Sequence, residues 1–252
     1  MEMDQYEHGV PSWVDIGVPD TDKAAAFYSA LFGWEVSEGT EETGGYRLAY
    51  LRNRPVAGIG PQQQPDMPPY WTTYVSVDDA DAIAALVEAN GGAVIVPAMD
   101  VLSSGRMAVF ADPVGAVFSV WQPREHIGAG IVNEHGTLSW NELMTTDVEA
   151  SKAFYAAVFG WGERSSEGDM PYTEWQVSDR SVGGMMAKPP MVPAEVPPNW
   201  GVYFAVDGLD ASMAKVTELG GTVLMGPMPT PAGPFATCLD DQGGAFYLIE
   251  LT

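Results

Sequence analysis

Asp15 follows Trp13 by two residues, and Glu142 follows Trp140 by two. The tryptophans are 127 residues apart (140 − 13), and so are the acids (142 − 15). In a sheltered site a carboxylate can act as a general acid or base, because desolvation moves its proton affinity toward neutrality. It can also hold a basic or hydroxyl group of a ligand whose flat part stacks on the indole. Burying an unpaired carboxylate is costly, so an acid repeated at one place in both halves needs polar partners. Arg47, Arg106 and the Trp13 and Trp140 indole N–H groups are candidates for that partnership.

The elements that position these residues are also repeated. Trp13–Trp34 and Trp140–Trp161 align without gaps, with 9 of 22 positions identical. The shared residues include Asp20/Asp147, Phe27-Tyr28/Phe154-Tyr155 and Phe32-Gly33-Trp34/Phe159-Gly160-Trp161. Such self-similarity marks a duplicated unit. Each copy opens on an alternating stretch that predicts a strand, stopped at 19–22, where Asp20 or Thr21 can cap a helix. Ala26, Phe27, Ala30 and Leu31 then form one buried helical face over 23–32, and Gly33 suits its exit. Three short strands are expected near 35–38, 46–51 and 56–60. The order repeats with a strand at 71–77, a helix at 79–90 and strands near 93–97, 106–111 and 116–121. Residues 137–252 run through the same series, including a helix at 210–219 and strands at 200–206, 222–225, 235–239 and 244–251. Pro-rich connections lie at 61–69 and 189–198. The reading is two domains, 1–122 and 137–252, each long enough for its own core, joined by a linker at 123–136.

Composition narrows the partners. The 252 residues carry 34 Asp+Glu against 11 Lys+Arg, a net charge of −23. No basic stripe exists for a phosphate backbone, so neither nucleic acid nor an anionic membrane surface is expected as a partner. The single cysteine, Cys238, fits a reducing compartment. The acidic start, without an apolar core, does not read as a signal peptide, and no apolar run is long enough to span a bilayer. A cytoplasmic monomer or homodimer is the expectation.

The D-x₆-FY-x₃-FGW pattern in each half resembles the glyoxalase / bleomycin-resistance / extradiol-dioxygenase superfamily, the vicinal oxygen chelate proteins. WTTYVSVDDADAIAALVEANGG with its partner WGVYFAVDGLDASMAKVTELGG carries the same resemblance, as does GRMAVFADPVGAVFSVWQP with GPFATCLDDQGGAFYLIEL. The tandem arrangement is similar to a two-domain, glyoxalase-like subgroup. The resemblance implies an α+β fold of two tandem domains. Each would be two βαβββ units forming a concave, half-barrel-like mixed sheet around a cavity. In metal-dependent members, ligands stand on the first, fifth and eighth strands: His or Gln, then His, then Glu. The matching positions here are Trp13, Thr72 and Ser119 in one half, and Trp140, Gly201 and Tyr247 in the other. Trp has no lone pair to give and Gly no side chain, and a neutral hydroxyl is a poor ligand. Glu250 lies near the third position but three residues late. His8 falls in the leader; His126 and His135 fall in the linker, where they could approach one another but are read as solvated. No metal and no other cofactor is expected.

Strand parity gives the cavity lining. Val14, Ile16 and Val18 face the helix, so Trp13, Asp15 and Gly17 face the cavity. Thr72, Tyr74, Ser119 and Trp121 join them. The second half contributes Trp140, Glu142 and Met144 with Tyr203 and Tyr247. The tryptophans either wall a ligand site or fill the vacated space as packed core. Three readings follow. The first is a metal-independent binder of a small, aromatic metabolite or antibiotic. The second is an enzyme of secondary metabolism or detoxification, of glyoxalase, isomerase or hydroxylase type, with Asp15 or Glu142 as acid or base. The third is an accessory protein with vestigial pockets.

Overall fold

The computed structural model describes residues 1–63, 67–168 and 171–252. Part of the Pro-rich connection at 61–69 lies outside them. Four βαβββ units follow one another. The first is β1 (Pro11–Val18), α1 (Thr21–Phe32), β2 (Glu35–Val36), β3 (Arg47–Leu51) and β4 (Arg54–Pro61). The second is β5 (Tyr70–Ser76), α2 (Ala80–Ala89), β6 (Ala93–Val101), β7 (Gly105–Ala111) and β8 (Val117–Pro123). The third is β9 (Leu138–Thr145), α3 (Val148–Phe159), β10 (Gly162–Ser166), β11 (Tyr172–Val177) and β12 (Arg180–Ala187). The fourth is β13 (Asn199–Ala205), α4 (Leu209–Glu218), β14 (Thr222–Met228), β15 (Phe235–Leu239) and β16 (Ala245–Ile249).

Local chemistry fixes the helix starts. Asp20 accepts hydrogen bonds from the Asp22 and Lys23 amides, Asp79 from Ala82, and Asp147 from Ala150. Gly208 offers α4 no side-chain cap, and Glu250 supplies it from β16's end by accepting from the Leu209 amide at 2.7 Å. Gln122 does the same for Ala80 at 3.1 Å. Glu250 is thus a helix-capping group.

Within each half the sheet is built alike. β1 runs antiparallel to β5 and parallel to β4, while β5 is parallel to β8. β9 pairs with β13 and β12, and β13 with β16, in the same senses. A single register pair, Ala245 with Tyr70, links β16 to β5 and joins the halves into one sheet.

The helical faces are not buried separately within each half. One core combines Phe27, Tyr28 and Phe32 of α1 with Phe204, Phe246 and Leu248 of the fourth unit. The other combines Ile83, Val87 and Phe118 of the second unit with Phe154, Tyr155 and Trp161 of the third. Unit one therefore pairs with unit four, and unit two with unit three. The motif tyrosine seals each junction. Tyr28, fully buried, accepts from Trp71 Nε1 at 3.1 Å and donates to Asp240 at 2.8 Å. Tyr155 accepts from Trp200 Nε1 at 2.9 Å and donates to Asp112 at 3.2 Å. The FGW tryptophans also cross over: Trp34 Nε1 donates to Gly136 O, and Trp161 Nε1 to Gly9 O, both at 2.7 Å. Two domains with independent cores would leave these aromatic faces in water, and burial against the other half removes that cost.

Tyr28→Phe leaves the Trp71 N–H and one Asp240 oxygen without a partner in a dry core. We expect a loss of about 1–3 kcal/mol in urea denaturation, and wild type should unfold in one transition because each core belongs to both halves. Two separate transitions would contradict the shared cores.

Candidate functional site

Antiparallel pairing sets Trp13 opposite Tyr74 and Asp15 opposite Thr72, and parallel pairing sets Tyr74 beside Ser119. These side chains share the concave face, because Val14, Ile16 and Val18 fill the core on the other side. Asp15 accepts from Tyr46 Oη at 3.0 Å and from Tyr74 Oη at 2.9 Å. Tyr46 in turn accepts from Trp13 Nε1 at 3.1 Å. Gly58 on β4 makes room for this, since a Cβ there would meet Tyr46 Oη at 1.8 Å.

The second half repeats the arrangement. Glu142 accepts from Tyr172 at 2.7 Å and from Tyr203 at 2.8 Å, and Trp140 Nε1 donates to Tyr172 at 2.9 Å. A Cβ at Gly184 would again meet the Tyr172 hydroxyl at 1.8 Å. Tyr203 stacks on Tyr247 with centroids 4.4 Å apart, and Gly201 gives that ring its space. Met144 lies two residues beyond Glu142 and is half-buried.

The carboxylate partners are therefore tyrosines. Arg47 pairs with Asp22, and Arg106 with Asp81 and Asp100. The indoles reach the acids only through a phenol. Tyr46 and Tyr172 escaped the strand-parity reading because each sits at a strand edge. The repeat carried a signal for them: both precede their partner glycine by 12 residues (58 − 46; 184 − 172).

Of the two linker histidines, His135 is exposed, as the solvated reading expects, and His126 departs from it. His8 Nδ1 accepts from the Asp78 amide at 3.2 Å and His135 Nδ1 from the Asp207 amide at 3.1 Å, another duplicated pair. His126 is the correction, since it enters the first concave face. Its ring stands edge-on to Trp13 at 4.5 Å and to Trp121 at 5.6 Å. Its Nε2 is buried and makes no hydrogen bond within the described residues. Burial pushes its pKa down to about 4, so the ring is neutral.

Electrostatically, both acids are poised by the same balance. Burial raises the Asp15 carboxyl, hydrogen bonds from Tyr74, Tyr46 and Thr72 offset part of the rise, and the balance lies at about 6. Burial likewise raises Glu142, against the pull of Tyr172 and Tyr203. The tyrosine hydroxyls stay protonated, because desolvation and the adjacent carboxylate both push them up. Asp15 can take up or release a proton near pH 6, and either acid can accept a hydrogen bond from a ligand.

The positions that match the superfamily's metal ligands do not form a metal site. Trp13 and Ser119 flank Tyr74 in one row, and Thr72 lies beside Asp15 in the next. Trp140 and Tyr247 flank Tyr203, and Gly201 stands opposite Glu142. Among the described residues, no three His, Cys, Asp or Glu side chains gather as a cation site. Each half offers a single carboxylate already shared by two phenols, a donor set that does not suit a divalent ion.

The family model of the Glyoxalase/Bleomycin resistance protein/Dioxygenase superfamily matches residues 11–120 and 137–249. The chain belongs to this superfamily. "Putative glyoxylase CFP32" of Mycobacterium tuberculosis (strain CDC 1551 / Oshkosh) is 42% identical over 98% of this chain and 96% of its own. "Anthracycline biosynthesis protein DnrV" of Streptomyces peucetius is 38% identical over 99% of this chain and 96% of its own. Among solved structures, the Mn(II)-bound glyoxalase from Novosphingobium aromaticivorans superposes with a TM-score of 0.68 at 18% identity. That match covers 97% of this chain and 83% of the other. The 2,3-dioxygenase LapB from Pseudomonas sp. KL28 gives 0.67 at 16%, over 97% and 93%. At these identities the likeness is one of superfamily fold.

Among the described residues, no helix is long and apolar enough to cross a membrane.

The raised Asp15 carboxyl has a stability consequence with a definite sign. The folded state holds this proton more tightly than the unfolded chain, so the group favours folding at low pH. That contribution is lost as pH rises from about 4 through about 6. The step from 3.8 to about 6 is worth roughly 3 kcal/mol. Asp15→Asn does not titrate. Between pH 4 and pH 7.5, the wild-type stability measured by urea denaturation should fall relative to this variant by roughly 2–3 kcal/mol. A difference independent of pH would contradict a carboxyl raised by burial.

Proposed function

We propose that the protein binds a small, flat aromatic molecule carrying a hydroxyl or basic group, without a metal, on one or both of its concave sheet faces. One observation carries this reading. A buried carboxylate held by two tyrosines, one of them bridged to a tryptophan, recurs at the same register in both halves. The acid supplies a polar anchor and the aromatic residues supply stacking surface. Trp13, Thr72, Tyr74, Ser119 and Trp121 would contribute in the first half, and Trp140, Met144, Tyr203 and Tyr247 in the second. The names of two relatives, DnrV and DauV, associate those proteins with anthracycline biosynthesis, which is consistent with a polycyclic aromatic ligand.

A second reading shares the site. Asp15, raised to about 6, and Glu142, raised by burial, could serve as acid or base in an isomerisation of the bound molecule. It is the runner-up because each acid is held by two phenols and no second acid or base stands beside it to relay a proton among the described residues. In either case the expected partner is a small molecule.

The test is calorimetry with daunorubicin, quercetin and catechol, in buffer with and without EDTA, beside elemental analysis of the purified protein. Binding with a Kd unchanged by EDTA is the expected result. A stoichiometric divalent ion, or affinity abolished by EDTA, would overturn metal independence. No binding across the panel would overturn the reading.

A further inference from the structure

The two concave faces share their chemistry but not their accessibility. In the first half, Trp13, Tyr74 and Trp121 are 3%, 7% and 5% exposed, and with Ala129 they form a hydrophobic cluster of their own. The cover is the chain itself. The His126 ring lies against Trp13 and Trp121, and the backbone around it is pinned repeatedly. The His126 amide donates to Ser104 O at 3.0 Å, and its carbonyl accepts from Trp121 Nε1 at 2.7 Å. The Ala129 amide donates to Ser12 O at 2.7 Å, and its carbonyl accepts from Tyr6 Oη at 2.7 Å. Gly128, at φ +111°, passes so close that a Cβ would meet Ser12 O at 2.4 Å. Such a segment is a fixed filling rather than a lid.

In the second half Tyr203 is as buried as Tyr74, at 5% exposed, but Trp140, Met144 and Tyr247 remain half-buried.

We propose that each chain has one working site, on the concave face of the second half, and that the 126–129 segment permanently occupies the first. The inference rests on the binding reading above and deepens it. His126 then serves as an internal guide to the ligand. A flat, neutral heteroaromatic ring stands edge-on to Trp13, and a planar ring is expected to meet Trp140 in the same way, with a hydroxyl or amine toward Glu142.

The experiment combines calorimetry with ¹⁹F NMR of protein containing 5-fluorotryptophan, its resonances assigned by single Trp→Phe variants. The probe is daunorubicin, or quercetin or catechol if either binds more tightly. One molecule per chain is expected. The Trp140 resonance should shift on binding, while those of Trp13 and Trp121 stay in place. Glu142→Gln should weaken binding about tenfold, as loss of a charge-assisted hydrogen bond does. Two equivalent molecules per chain, or a shift at Trp13 or Trp121 without one at Trp140, would overturn the single-site inference and leave the binding reading standing. No binding by any of the three probes would overturn both.

Discussion

The fold depends on the exchange of buried aromatic faces between the halves. Each half carries a helix with a face of phenylalanines and a tyrosine, and each face is closed by strands of the other half. A buried phenol needs partners for its hydroxyl, and here they are a tryptophan N–H from its own half and an aspartate from the other. Those aspartates are held in place by backbone amides of their own turns: Val114, Gly115 and Ala116 for Asp112, and Gln242 and Gly244 for Asp240. The polar seal thus fixes how the halves meet, while the apolar area supplies most of the stabilisation.

With the convex sides locked together, each sheet turns its other side to a concavity, and the acids follow from strand parity alone. The sites use the same device as the core, an indole donating to a phenol that donates to a carboxylate. The difference lies in what surrounds it. In the core, backbone amides fix the carboxylate, whereas on the concave face the acid depends on two phenols. Desolvation is only partly offset in either setting: burial raises Asp112 despite its amides, and Asp15 is left near 6.

Much of this was legible in the residues. The duplication, the presence of the helices, the Asp20 cap and the concave placement of Asp15 and Glu142 follow from periodicity and spacing, but α1 buries Ala24, Phe27, Tyr28 and Leu31 and leaves the expected Ala26 and Ala30 exposed. The tyrosine partners did not, because Tyr46 and Tyr172 lie at strand edges, where alternation gives no direction. The arginines looked plausible from charge alone, yet Arg47 and Arg106 are taken by nearer surface acids. His126 was the hardest to read. Nothing in a connection rich in glycine says that it folds back under a sheet, and the decisive contacts are with Trp13, more than a hundred residues earlier. The pairing of unit one with unit four was equally hidden, since local pattern cannot say which apolar faces meet.

Covalent linkage of the halves alters what their shared cores demand. Two separate half-length chains could make the same contacts, but their association would depend on concentration, and identical sequences would make any change in one cavity a change in both. Joining them at Gln122–Gly136 makes the encounter intramolecular, with an effective concentration set by the connection rather than by expression level. It also frees the two copies to drift apart. Asp15 faces Glu142 across the repeat, Thr72 corresponds to Gly201, and Ser119 to Tyr247. One copy has been able to give up its cavity to the connecting segment while its helices still complete the other copy's core. The half that has closed its site is still needed as a structural partner of the half that has not.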